Sequence, residues 1–153
     1  MKTFNDLISD VSENVTEIFP WDLEEILKNK TPYLLDVREN YEFDAMHINH
    51  SINVPRGILE TACDYNYDET IPELAGNREQ EIIVICRSGN RSILAADTMQ
   101  RMGFKNVFSL KTGIRGWNEY DQTLLDHNNL TVDPDHAEEY LRNKVRDDQL
   151  TPK

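Results

Sequence analysis

Apolar residues in the middle of the chain fall in short runs separated by helical patterns. The clearest run, Ile82-Ile83-Val84-Ile85, is continuous and β-branched, which is typical of a strand buried on both faces of a parallel sheet. Further strands are predicted over 15–19, 33–37, 52–54 and 106–110, and helices over 21–27, over 91–102 and after Gly116. The weakly patterned stretch 57–80 predicts a helix and a loop. Because parallel neighbours need crossover connections, the pattern predicts a doubly wound α/β fold, with a parallel sheet of about five strands and helices on both faces.

Both ends of the chain follow a different pattern. Phe4, Leu7, Ile8 and Val11 recur at steps of three and four, which predicts a short amphipathic helix. Past residue 120 the sequence is polar and acidic, and Asp133-Pro134 has the form of a helix N-cap and first helical position. The apolar side of this closing helix would consist of Ala137, Tyr140, Leu141 and Val145. The predicted organisation is an N-terminal helical extension over 1–14, one α/β domain over 15–120 and an acidic C-terminal extension over 121–153.

Charge and cysteine content narrow the function classes. A formal charge of −12 disfavours binding to nucleic-acid phosphates, so the expected partners are small anions or proteins. No run approaches the roughly 18 apolar residues of a membrane span, and the first 20 residues do not have the pattern of a signal peptide, so we expect a cytoplasmic protein. Cys63 and Cys86 lack metal-type spacing and are predicted to be free thiols. Cys63 is either a resolving thiol for oxidised Cys86 or a small buried residue.

The strongest chemical signal follows the central strand directly, in the sequence Cys86-Arg87-Ser88-Gly89-Asn90-Arg91-Ser92. Free N–H groups of the turn and of the following helix N-terminus converge there and favour negative charge. A thiolate at Cys86 suits this position, and Arg87 and Arg91 add positive charge. We therefore interpret the segment as an anion-binding loop with a nucleophilic cysteine, in preference to a strand end closed by a small apolar residue.

This loop resembles the active-site loop of bacterial single-domain rhodanese-like proteins. Other segments resemble motifs of the same family in the same order, namely 34–39 with 41–43, 47–55, 102–107 and 113–117. Two departures occur, because Thr112-Gly113 replaces a usual Gly-Gly pair and Asn49-His50 replaces a usual Pro-Gly pair. We expect both to be structural variation away from the chemistry.

The resemblance implies a sulfurtransferase that needs no cofactor or metal. Cys86 would take sulfur from a small anionic donor such as thiosulfate, hold it as a persulfide and pass it to a thiol, cyanide or a protein acceptor. The persulfide and donor would be bound by Arg87, Ser88, Gly89, Asn90, Arg91 and Ser92. The resemblance gives Asp36, Arg38 and His47 fold-supporting roles, and Arg56, after a strand end, is a candidate for the rim of the site.

Two other functions remain open for such a fold. Rhodanese-fold phosphatases and arsenate reductases hold five residues between the cysteine and the arginine, whereas only four separate Cys86 from Arg91. This tighter loop suits a sulfur atom more than a bound phosphate. A non-enzymatic binding or regulatory module is the other alternative, since fold alone does not fix function, although family members of that type often lack the cysteine.

Overall fold

Five short strands pair in parallel at the centre of the computed structural model, which describes residues 1–153. The strands are β1 (Thr16–Ile18), β2 (Tyr33–Asp36), β3 (Ile52–Asn53), β4 (Glu81–Ile85) and β5 (Asn106–Leu110). Their order across the sheet is β1-β5-β4-β2-β3, so β4 lies in the middle. The predicted α/β class and strand number are confirmed, although the first three strands are shorter than predicted.

Helices connect the strands and flank the sheet. They are α1 (Phe4–Ser12), α2 (Pro20–Leu27), α3 (Asn40–Ala45), α4 (Leu59–Ala62), α5 (Pro72–Ala75), α6 (Arg91–Arg101), α7 (Gly113–Glu119) and α8 (Pro134–Leu141), with 3₁₀ turns at Arg56–Ile58 and Asp147–Gln149. None has the length and apolar character needed to cross a membrane. The stretch 57–80 contains two four-residue helices where one helix was predicted, because Pro72 can begin a new helix but cannot continue one.

The alternation of side chains along β4 builds a core on each face of the sheet. Ile82 and Val84 belong to the cluster that includes residues of α4 and α6, whereas Ile83 and Ile85 belong to the cluster formed with α2, α7 and α8. All four are fully buried, and each contributes about 1.5–3 kcal/mol relative to an exposed side chain. This two-sided burial holds the end of β4 firmly, and Cys86 is the next residue.

The two terminal helices occur at the positions predicted from the sequence, but only some of the residues predicted to form their apolar sides are buried. Ile8 and Val11 of α1 pack against the core, but Phe4 and Leu7 are 48% and 45% exposed, so the sheet domain covers only half of the predicted stripe.

Helix α8 begins as predicted, because Asp133 accepts hydrogen bonds from the N–H groups of Asp135 and His136. The predicted apolar contact of Val145 is wrong, since the helix ends at Leu141 and the extended backbone of Arg142 carries Val145 into solvent.

Candidate active site

The Cys86 sulfur lies at the point where backbone donors converge. The N–H of Gly89 donates to Sγ at 3.1 Å, and the N–H of Ser92, in the first turn of α6, donates at 3.3 Å. The end of a buried strand fixes the sulfur from one side, and the α6 N-terminus supplies partial positive charge from the other. This arrangement stabilises a negatively charged sulfur.

A pair of buried serines lies next to the sulfur. Ser92 Oγ is 3.3 Å from Cys86 Sγ and 2.7 Å from Ser109 Oγ, and both serines are fully buried. When the sulfur is a thiolate, Ser109 can donate to Ser92 while Ser92 donates to Sγ, so every group has a partner. Ser109 comes from β5 and was not predicted; the sequence signal was a serine between apolar residues of a strand.

Helix α7 holds the loop from behind. The carbonyl oxygens of Cys86 and Arg87 accept hydrogen bonds from the N–H groups of Ile114 and Arg115, each at 3.0 Å. These two hydrogen bonds fix the backbone of Cys86 and Arg87 against the start of α7. Gly113 makes this approach possible, since a Cβ at that position would overlap the backbone of Cys86 and Arg87.

The expectation that the Thr112-Gly113 departure lies away from the chemistry is therefore wrong. Gly89 has φ of +93°, and a Cβ there would lie 2.8 Å from the backbone nitrogen of Thr112. Thr112 itself has φ of +67°, in the left-handed region where glycine costs least. Residues 112 and 113 thus pack directly on the loop, which gives a physical reason for glycines at these positions.

The structure gives the two arginines of the loop different surroundings. Arg91 donates to both carboxylate oxygens of Glu42, at 2.9 and 2.8 Å, whereas Arg87 makes no ion pair. Burial opposes ionisation of Glu42, but the hydrogen bond and charge of Arg91, with the N–H of Glu39, hold its pKa below the ordinary value. The same hydrogen bond raises the pKa of Arg91. Arg91 therefore acts from a fixed position, and Arg87 is the loop cation without an ion-pair partner.

A small cavity of about 70 Å³ opens above the loop. Its lining consists of Phe4, Cys86, Arg87, Ser88, Asn90 and Arg91. Phe4 comes from α1 and was not predicted as a site residue. A larger cavity of about 560 Å³ lies next to the start of β2, at the opposite end of the parallel strands from the loop, and is lined partly by Pro32 and Trp117. It contains no thiol, so the smaller cavity is the candidate active site.

Comparison with known proteins decides the family. The family model of the Rhodanese-like domain matches residues 20–120. The chain belongs to the rhodanese-like family. The resemblance of its motifs to this family is thereby confirmed.

Three relatives illustrate the match. "Putative sulfur carrier protein YrkF" of Bacillus subtilis (strain 168) is 36% identical over 110 residues, which cover 69% of this chain and 54% of that protein. "Putative thiosulfate sulfurtransferase, mitochondrial" of Schizosaccharomyces pombe (strain 972 / ATCC 24843) is 35% identical over 82 residues, covering 52% and 58%. The crystal structure of a rhodanese-related protein from Thermoplasma volcanium superposes with a TM-score of 0.58 at 29% identity, covering 72% of this chain and 97% of that one. The chain thus spans about half the length of these two curated relatives.

Asp36, Arg38 and His47 do not line the cavity next to the rhodanese loop. Arg38 is fully buried and donates through Nε and Nη2 to Asp36, at 3.0 and 2.9 Å, and also to the carbonyl oxygen of Met46. His47 Nδ1 is 2.8 Å from the carbonyl oxygen of Phe43, and the two rings stack. These contacts fix residues 38–47, the segment that contains Glu42, and so hold the Glu42 carboxylate next to Arg91.

Arg56 is not part of the cavity of this rhodanese domain. Its guanidinium donates to Glu60 at 2.9 Å and to Thr98 Oγ1 at 3.0 Å. Thr98 lies about two turns along α6 from the loop, so Arg56 fastens the 3₁₀ turn to the side of that helix. The structure does not bring Arg56 together with Cys86.

Cys63 lies at the opposite end of α6 from Cys86. Its carbonyl oxygen accepts a hydrogen bond from Arg78, which also donates to the carbonyl oxygen of Met102, directly after the helix. An 11-residue helix is about 16 Å long, whereas the Cα atoms of a disulfide are less than about 7 Å apart. Of the two alternatives for Cys63, the structure therefore supports the small buried residue.

Alkylation of the native protein is expected to distinguish the two thiols. Burial raises the pKa of Cys63 to about 11, so at pH 8 about one molecule in a thousand holds a Cys63 thiolate. Iodoacetamide should modify Cys86 in the folded protein and Cys63 only after denaturation, as read by peptide mass spectrometry. Native Cys86→Ala should take up no label; equal labelling of the two wild-type thiols would contradict the assignment.

Glu42→Gln is expected to lower the free energy of unfolding by about 1–2 kcal/mol at pH 7, between the values for exposed and buried ion pairs. Because the folded pKa of Glu42 is depressed, the stabilisation is present above the unfolded pKa and is lost as pH falls through the folded pKa. Urea unfolding curves of wild type and variant should therefore converge in acid. Glu60→Gln, which removes a more exposed partner, is the control and should cost less than about 1 kcal/mol.

Proposed function

We propose that this rhodanese domain is a sulfurtransferase in which Cys86 carries sulfur as a persulfide. The observation that carries the proposal is the convergence of the Gly89 and Ser92 N–H groups and the Ser92 hydroxyl on Cys86 Sγ, below an open cavity. Donors placed this way stabilise a charged sulfur as an oxyanion hole stabilises a charged oxygen. The names of the curated relatives, a sulfur carrier and a sulfurtransferase, support the same class of reaction.

The reaction we propose has two displacements at sulfur. The Cys86 thiolate attacks the outer sulfur of an anionic donor such as thiosulfate, a new S–S bond forms, and sulfite leaves with the electron pair of the broken bond. A thiolate, cyanide or the thiol of a protein acceptor then attacks the outer persulfide sulfur, and the Cys86 thiolate leaves. The transferred sulfur gains no electrons over the two steps, so no redox cofactor or metal is required.

The residues around the sulfur divide these tasks. Arg87, which makes no ion pair, attracts the anionic donor, whereas Arg91 contributes its charge from the position fixed by Glu42. The side chains of Ser88 and Asn90 complete the wall of the cavity. Because Arg91 is already paired with the Glu42 carboxylate, and only four residues separate it from Cys86, the site is less suited to cradle a phosphate.

The wider setting is also part of the proposal. Residues 15–120 form the sulfur-transfer domain, and the segments 1–14 and 121–153 are extensions that pack on it.

Both cysteines are free thiols, which suits a reducing cytoplasmic compartment. Small anionic donors fit the cavity volume of about 70 Å³ better than large ones.

Mass spectrometry of the full chain after incubation with thiosulfate tests the proposal. We expect a mass gain of one sulfur atom, located on the peptide that contains Cys86. Addition of cyanide should then return the original mass and release thiocyanate. An unchanged mass after incubation, or a sulfur located on Cys63, would overturn the proposal.

A further inference from the structure

Phe4 is the one residue of the cavity lining that comes from outside the 86–91 segment. It is the first residue of α1 and precedes Cys86 by 82 residues in the sequence, yet the two residues line the same opening. About half of its surface, 48%, is exposed. Burial in the core therefore does not account for a large aromatic ring at this point.

The position of Phe4 is fixed by the anchoring of α1. The N–H of Thr3 donates to Asp6 at 2.7 Å, and the N–H of Asp6 donates to Thr3 Oγ1 at 3.1 Å, forming a capping box at the start of the helix. Further along, Ile8 and Val11 pack against the core beside α6. A capped and packed helix holds its first residue over the loop.

The volume of the cavity sets what fits beneath the ring. About 70 Å³ is small beside the roughly 300–1,000 Å³ of clefts that bind drug-sized ligands. The space next to Cys86 therefore favours the outer sulfur of a persulfide and one small group. Phe4 forms an apolar wall of this opening, while Arg87 forms a cationic wall.

We propose that Phe4 is a specificity-determining residue, which narrows the opening above Cys86 and so favours small sulfur donors over bulky ones. This inference rests on the proposed sulfur-transfer function. The ring acts by excluding volume, so a smaller side chain widens the choice of donor and a larger one restricts it. Leu7 lies one turn further along α1, is equally exposed and does not line the cavity, so it provides a matched control.

The test compares a bulky donor, benzenethiosulfonate, with thiosulfate. Both donate their outer sulfur to a thiolate, and benzenesulfinate or sulfite leaves with the bond electrons. In Phe4→Ala the ratio of kcat/KM for benzenethiosulfonate to that for thiosulfate should rise about tenfold, the effect of a modest change in pocket size. In Phe4→Trp the ratio should fall, and in Leu7→Ala it should match wild type. A fall in Phe4→Ala would mean that the ring binds the aryl group, which would overturn the inference.

Alkylation separates this inference from the proposed function. The rates at which a bulky N-aryl maleimide and iodoacetamide modify Cys86 depend on access and not on sulfur transfer. If wild type transfers no sulfur while Phe4→Ala raises the maleimide-to-iodoacetamide ratio, the proposed function fails and the narrowing role of Phe4 stands. If wild type transfers sulfur and neither ratio responds to either Phe4 variant, the inference fails and the function stands. Thermal unfolding of the variants confirms that the comparison is between folded proteins.

Discussion

Cys86→Ser protein is expected to gain no sulfur from thiosulfate and to release no thiocyanate on addition of cyanide. A serine hydroxyl is not ionised near neutral pH and cannot accept the outer sulfur, whereas the N–H groups of Gly89 and Ser92 remain in place. Loss of the nucleophile in covalent catalysis costs on the order of 10⁶ in rate, so the activity should fall to the background of the assay. Intact-mass spectrometry and thiocyanate detection on the same samples measure both half-reactions.

The matched control for this variant is Cys63→Ala. It removes the other thiol, which lies beyond the far end of α6, and should leave one sulfur per chain after loading. Sulfur loading that survives in Cys86→Ser, or that disappears in a folded Cys63→Ala protein, would show that Cys86 is not the carrier. Near-ultraviolet circular dichroism establishes that both variants are folded.

The part of the site that the sequence predicted is the part that is contiguous in the chain. Strand β4, the loop and the start of α6 follow one another without interruption, so the strand end and the helix N-terminus meet at Cys86 whatever the rest of the fold does. The continuous β-branched run of β4 also predicted its central place in the sheet, because only a strand covered on both faces is apolar at every position.

The residues that the sequence did not reveal arrive at the site through tertiary packing. Glu42 lies 49 residues from Arg91, and Ser109 lies 17 residues from Ser92, so neither pairing can be read from local spacing. Phe4 depends on the direction in which α1 packs along α6. Similarly, the distance between Cys63 and Cys86 could not be predicted, because the sequence does not show that Cys63 packs at the C-terminal end of α6.

The contact of Thr112 with the loop was missed for a related reason. A positive φ at a residue other than glycine leaves no clear mark in composition or periodicity. The departure from a Gly-Gly pair is visible in the sequence, but only the contact between the start of α7 and the loop shows that it lies next to the site. Local sequence patterns thus predict Cys86 as the candidate nucleophile, whereas long-range packing determines which residues surround it.

Arg38→Met is expected to lower the free energy of unfolding by about 3–5 kcal/mol, because it leaves the fully buried carboxylate of Asp36 without its cation. The carbonyl oxygens of Glu42 and Met46 lose a donor in the same change. Total stabilities of domains are about 5–15 kcal/mol, so this loss is a large share of the whole. Urea unfolding measured at one pH and temperature gives the difference. Arg142→Met, which removes an exposed partner of Glu139, should cost no more than about 1 kcal/mol.

The same substitution tests whether the buried pair supports the site as well as the fold. Arg38 holds the carbonyl oxygen of Glu42, and the Glu42 carboxylate holds Arg91, so the chain of contacts leads from the sheet edge to the loop. In the fraction of Arg38→Met protein that remains folded, sulfur transfer per folded molecule should therefore fall, whereas Arg142→Met should transfer sulfur at the wild-type rate. A stability loss below about 1 kcal/mol in Arg38→Met would mean that Asp36 finds other partners, and the fold-supporting role assigned to the pair would be wrong.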